Sequence, residues 1–213
     1  MSDEICLKDA EKKAFRSTFD DGLWDILLGC VISLLAIAPF LSSRLGDFWS
    51  SAVFLPFWGL VYLAVQTIRR HVVAPRIGTA KFGRARKARL ARFTIVMLVV
   101  NVLALILGFV AAATVGKVPG QATSIVLGLI LLAGFSIAAH FLDFSRLYIY
   151  GLMLGISPPV GEWLYSRGLA SHHGFPVTFG VTAGVMIAVG VAVFARLVRR
   201  NPVPVEGARP EEA

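Results

Sequence analysis

Glu162 stands one helical turn after Ser157-Pro158-Pro159, and this is the most chemically suggestive arrangement in the chain. Two successive prolines lack the N–H groups that would continue a helical ladder, so carbonyls a turn earlier lose their donors. Beside an ionisable carboxylate such carbonyls suit a cation or an amine. Asn101, in the middle of a long apolar run, offers an amide as a deeper contact. Each residue also has a plainer reading, with Glu162 exposed or paired and Asn101 hydrogen-bonded to a neighbouring helix. His172 and His173 are metal-ligand types and join Glu162 on the same stretch, but adjacent histidines in a loop are poor geometry for one ion, so no metal and no cofactor is expected. His140, Asp143 and Arg146 recur every third residue and read as an ion pair at a membrane surface. Asp25 reads as a carboxylate in a first helical turn, where the helix dipole favours negative charge. The chain has no Walker loop, no His-Glu-x-x-His and no Gly-x-Ser-x-Gly, so no catalytic residue is assigned and an enzyme is the minority reading.

These residues are carried by a chain whose solvent must be the bilayer. Of its 213 residues 56% are hydrophobic and only 16% charged, with a mean hydropathy of +0.73. That composition excludes an ordinary soluble domain, and the length accommodates about six spans of roughly 20 residues. The expected fold is all-α, a polytopic membrane bundle of about six transmembrane helices with both termini cytoplasmic. Spans are expected over residues 23–41, 49–68, 93–114, 122–142, 147–165 and 176–198. Residues 1–20 form an amino-terminal tail with the composition of a short interfacial helix, 21–200 the membrane domain, and 201–213 a disordered tail rich in Pro and charge. The first span follows a charged tail and lacks a small-residue cleavage site, so it reads as an uncleaved anchor. Residues 42–48 are expected to connect the first two spans, and Pro75-Arg76-Ile77-Gly78 to form a turn. The connection 143–146 is so short that the helices on either side must form an antiparallel hairpin. Cys6 and Cys30 lie in the tail and in the first span, and no structural disulfide is expected.

Orientation follows from the stretch 69–92, which is crowded with Lys and Arg and holds no acidic residue. Basic residues beside hydrophobic spans stay on the cytoplasmic side. With six spans, only Arg44, Lys117 and Arg167 of the 21 Lys and Arg fall on the opposite side. Within the loop, residues 83–93 read as a helix on which Arg84, Arg86, Lys87, Arg89 and Arg92 cannot share one face at 100° per residue, and Arg76 and Lys81 precede it. They form a cationic collar suited to anionic lipid head groups, which are nearer partners than nucleic acid for the net charge of +8.

Small residues mark where helices approach: Gly151 and Gly155 lie four apart, and Gly180, Gly184, Ala188 and Ala192 form a stripe at the same spacing. The expected contact joins the fifth and sixth spans along Gly155 and the stripe from Gly184 to Ala192. A homo-oligomer or another membrane protein is a further partner for such faces. The run Pro75-Arg76-Ile77-Gly78, then Lys81-Phe82 and a basic helix, resembles the loop of a group of uncharacterised small multi-pass prokaryotic integral membrane proteins. Arg146-Leu147-Tyr148-Ile149-Tyr150-Gly151 and Pro158-Pro159-Val160-Gly161-Glu162 are similar to a second stretch in them. The resemblance implies a multi-pass protein of the prokaryotic cytoplasmic membrane and no particular activity. Two functions are expected from the residues: a membrane interaction or regulatory component working through helix packing and the cationic loop, or, alternatively, a small permease for a cation or amine with its site near Glu162 and Asn101.

Overall fold

The computed structural model describes residues 21–77, 91–92, 94–96, 98–99 and 120–202. Among these the chain is helical, with no strand, and four helical segments are long and apolar enough to cross a membrane: Leu23–Ser42, Ala52–Arg76, Gly120–Leu142 and His172–Arg200. These are the marks of an integral membrane protein. The stretch 101–119, which holds most of the expected third span, lies outside the described residues.

Helix α1 runs Leu23–Ile68 and holds the first of these segments and most of the second as two arms. Its start is capped from Asp21, whose Oδ1 accepts the Leu23 N–H at 3.0 Å, satisfying one of the donors that a helix N-terminus leaves spare. The arms meet at Gly46, with φ 77° and ψ 163°, a conformation essentially confined to glycine. Residues roughly equidistant from Gly46 then face each other. Leu27, Cys30 and Leu34 of the first arm meet Phe57, Trp58 and Val61 of the second. The expected connection over 42–48 is therefore helical except at this one residue, because a single left-handed glycine reverses the chain without a loop.

The second arm continues through a π-helical turn, Arg69–Val73, into α2, Ala74–Ile77. Here the structure corrects the expected turn at 75–78, since Pro75 to Ile77 remain helical. Ala74 N–H reaches back to Arg69 O, and Pro75, inside this continuous helical run, leaves a carbonyl about a turn earlier without that donor.

Helices α3, Gly120–Leu142, and α4, Arg146–Ser166, form the antiparallel hairpin that the short connection requires. Asp143 takes φ 53°, and Phe144 N–H bonds Ala139 O at 3.1 Å, the pattern of a left-handed helix C-cap. Phe144 is buried as the apolar residue that closes it. A 3-10 turn, His172–Gly174, leads into α5, Phe175–Arg200. The core joins the first arm, α3, α4 and α5 through Ile32, Ala139, Tyr150, Leu154, Phe179 and Met186.

Small residues set the helix crossings, but on faces other than those expected. Gly151 and Gly155 meet α3, where a Cβ would lie 2.8 Å from Phe135 Cβ and 3.0 Å from Leu132 Cβ respectively. Helix α5 packs along the first arm, with Gly190 against Gly22 and Ile26, and Ala183 O and Ile187 against Gly29. A Cβ on Gly180 would lie 3.7 Å from Ala36 Cβ. Among the described residues a Cβ on Gly184 would meet nothing within 4 Å, and Ala188 and Ala192 are exposed with it. The stripe has the right period, but Ala183, Met186 and Gly190 turn toward the other described helices and leave Gly184, Ala188 and Ala192 on the opposite face of α5.

Candidate functional site

Two polar clusters lie at opposite ends of the bundle. At one end α4 passes through Pro158 and Pro159 without ending. The missing N–H groups free the carbonyls of Leu154 and Gly155. Gly155 O is pressed against Gly128, where no side chain would fit, a contact of the weak C–H···O kind. Ser157 donates to Met153 O at 2.8 Å and lies 3.1 Å from Thr182 Oγ1 in α5. Gln121 of α3 donates its amide to Pro159 O at 3.3 Å. Among the described residues the freed carbonyls thus meet α3, because Gly128 and Gly155 let that helix approach the prolines directly. The cavity beside it, about 440 Å³, is an apolar groove between α3 and α4, and Glu162 does not line it.

Glu162 instead turns to the 3-10 turn. Its Oε2 lies 2.8 Å from His173 Nδ1, with the Glu162 side chain 14% exposed and that of His173 56%. Tyr165 packs on the same imidazole, with ring centroids 4.5 Å apart. His172 diverges, its ring against Phe40 at 5.6 Å, so the two histidines do not converge on one point. Both have positive φ, 50° and 54°, a conformation that costs non-glycine residues about 1–3 kcal/mol each. The Glu162–His173 contact helps hold that turn.

At the other end are the residues that sequence reasoning underrated. Asp25, 0% exposed, accepts from Arg146 of α4. Asp21, one turn earlier, pairs with Arg69 at 3.3 Å. Arg69 lies over the Trp24 ring at 5.9 Å, and Arg146 over Phe144 at 5.1 Å. Tyr150 is buried beside Asp25. The cluster therefore ties the start of the first arm to α4 and to Arg69, at the root of the basic loop. Burial pushes the Asp21 carboxyl above the ordinary aspartate range, with Arg69 and two backbone N–H groups opposing the shift. Two carboxylates facing two guanidinium groups balance, which makes this a clasp rather than a binding site for a charged ligand. The i, i+4 spacing of Asp21 and Asp25 is visible in the sequence; their partners, far along the chain, are not.

This end also gathers cations. Arg69, Arg70 and Arg76 end the second arm, Arg146 begins α4, and Arg196, Arg199 and Arg200 end α5, whose Phe194 lies beside Gly22. Arg44 and Arg167 lie at the far end. Arg76 is partly buried and donates Nη1 to Val72 O at 2.8 Å, while Arg92 is helical and exposed. Asn101, Lys81, Arg84, Arg86, Lys87 and Arg89 lie outside the described residues. No protein-family model, curated protein or solved structure matches the chain.

Proposed function

We propose that this chain is a multi-pass membrane interaction component of the prokaryotic cytoplasmic membrane. In this reading six spans place both termini and the loop 69–92 in the cytoplasm, and the loop docks on anionic head groups. The observation that carries it is the gathering of Arg69, Arg70, Arg76, Arg146, Arg199 and Arg200 at one end of the bundle, with Arg69 fastened to Asp21 so that the root of the loop is fixed to the helices. Each basic residue near an anionic surface contributes about 1 kcal/mol, so the loop and its flanks hold the surface firmly at low salt and less so when salt is added. The test places an environment-sensitive dye on Ala85→Cys in nanodiscs. Phosphatidylglycerol should shift its emission relative to phosphatidylcholine, added salt should reverse the shift, and the variant with Arg84, Arg86, Lys87 and Arg89 changed to Gln should lose it. Equal emission in both lipids refutes the reading.

A second reading, a small permease for a cation or amine, draws on the partly buried Glu162 beside Pro158 and Pro159, with Asn101 as the deeper contact. It requires Glu162→Gln to abolish uptake into proteoliposomes while the helix content is unchanged. Uptake at the wild-type rate removes it.

A further inference from the structure

The groove between α3 and α4 is floored by Gly128 and Gly155, walled by Leu129 and Ile156, and ended by Gln121 and Trp163. Its walls are open to the side, Leu129 being 59% and Ile156 51% exposed, so at membrane depth the trough faces acyl chains. Its volume of about 440 Å³ is within the ~300–1,000 Å³ of small-molecule sites. At the Trp163 end stands Arg167, whose guanidinium lies 5.3 Å over the Trp163 ring. Among the described residues it has no carboxylate within ion-pair distance. Glu162, the nearest acid in sequence, is drawn to His173.

The geometry points to a binding site for one anionic phospholipid, with an acyl chain in the α3–α4 groove and the phosphate on Arg167. An apolar trough with Arg167 at its end is complementary to an amphiphile with a negative head. Lipid tails are as apolar as leucine, so an acyl chain gains no hydrophobic free energy by leaving the bilayer for the groove. Retention must come from close packing on the glycine floor and from the head group. Arginine is suited to that head group because its planar guanidinium binds phosphate oxygens in pairs and keeps its stacking on an aromatic ring. This site lies at the end opposite the basic loop and does not depend on the function proposed above.

Native mass spectrometry of the full chain, titrated with phosphatidylglycerol or phosphatidylcholine of matched chains, tests it. Wild type should retain one phosphatidylglycerol with about fivefold preference, the worth of one basic residue at the surface. Arg167→Gln should erase the preference, and Ile156→Trp, or Leu129→Trp from the opposite wall, should reduce retention of both lipids by filling the groove. Changing Arg84, Arg86, Lys87 and Arg89 to Gln should leave this one-lipid binding intact. Circular dichroism checks that each variant keeps its helix content, and Arg167→Gln, on an exposed residue, removes no contact but its stacking on Trp163. The proposal is overturned if Arg167→Gln and the groove variants bind as wild type, or if only the loop variant loses the preference. It is equally overturned if no lipid is retained and the groove variants dissociate a dimer, which would make a second copy the occupant.

Discussion

Removing the Arg146 side of the clasp should damage the bundle more than removing the Asp25 side. Arg146→Gln strands a carboxylate that is 0% exposed among Trp24 and Tyr150, and breaking a buried pair in this way costs about 3–5 kcal/mol. Asp25→Asn leaves instead a guanidinium that is 22% exposed, able to turn toward head groups or water. The loss is then about that of a charge-assisted hydrogen bond, ~1.5–3 kcal/mol. The double variant buries no unpaired charge, so its cost should fall near that of Asp25→Asn alone, giving a coupling of about 3–5 kcal/mol between the two positions, the whole cost of Arg146→Gln. Equilibrium unfolding in mixed micelles, followed by circular dichroism, measures all four proteins. If Arg146→Gln is no worse than Asp25→Asn, or if the double variant costs the sum of the singles, the pair does not support the structure as argued.

Packing offers a paired comparison. Gly190→Leu drives a side chain into Ile26 and Gly22 and should cost on the order of 1–3 kcal/mol through overpacking, whereas Gly184→Leu, with nothing within 4 Å, should leave the same unfolding midpoint unchanged; equal effects would reverse the assigned faces of α5. Asp21 supplies a pH dependence. Because burial raises its folded pKa, the folded chain holds that proton more tightly than the unfolded one, so its contribution is fully present below the ordinary aspartate pKa and is lost as pH rises through the raised value. The stability of wild type relative to Asp21→Asn should therefore fall with rising pH across that window, and a difference that grows with pH contradicts the burial argument.

Membrane-length helices were legible in the sequence because hydropathy and length are local properties; the expected spans 23–41, 122–142 and 176–198 overlap Leu23–Ser42, Gly120–Leu142 and His172–Arg200, while the one expected over 49–68 continues as Ala52–Arg76 into the stretch read as loop. The hairpin at Asp143 was legible for the same reason, since so few residues allow no other path. Gly46 was visible as a residue, but not as the whole of a reversal, because a connection rich in Ser and Asp reads equally well as a loop. Arg146 finding Asp25 depends on which helices stand side by side, and residue spacing along one helix says nothing about that. The stripe from Gly184 to Ala192 failed similarly: period identifies a face, and only the approach of Gly22 and Gly29 decides which face is covered. Near Glu162 the two prolines were visible in the sequence, but not that α4 runs through them unbroken, nor that Gly128 and Gly155 bring α3 against the freed carbonyls.

Both functional readings depend on which side of the membrane the basic end occupies. Labelling intact cells with a membrane-impermeant maleimide measures this directly, in a background with Cys6→Ser and Cys30→Ala. A cysteine replacing Leu169, 70% exposed between α4 and the 3-10 turn, should react from outside. One replacing Ala208 should react only after the membrane is permeabilised. Labelling of position 208 from outside with protection of position 169 would contradict the account, placing the Arg69, Arg146 and Arg200 end away from the cytoplasm.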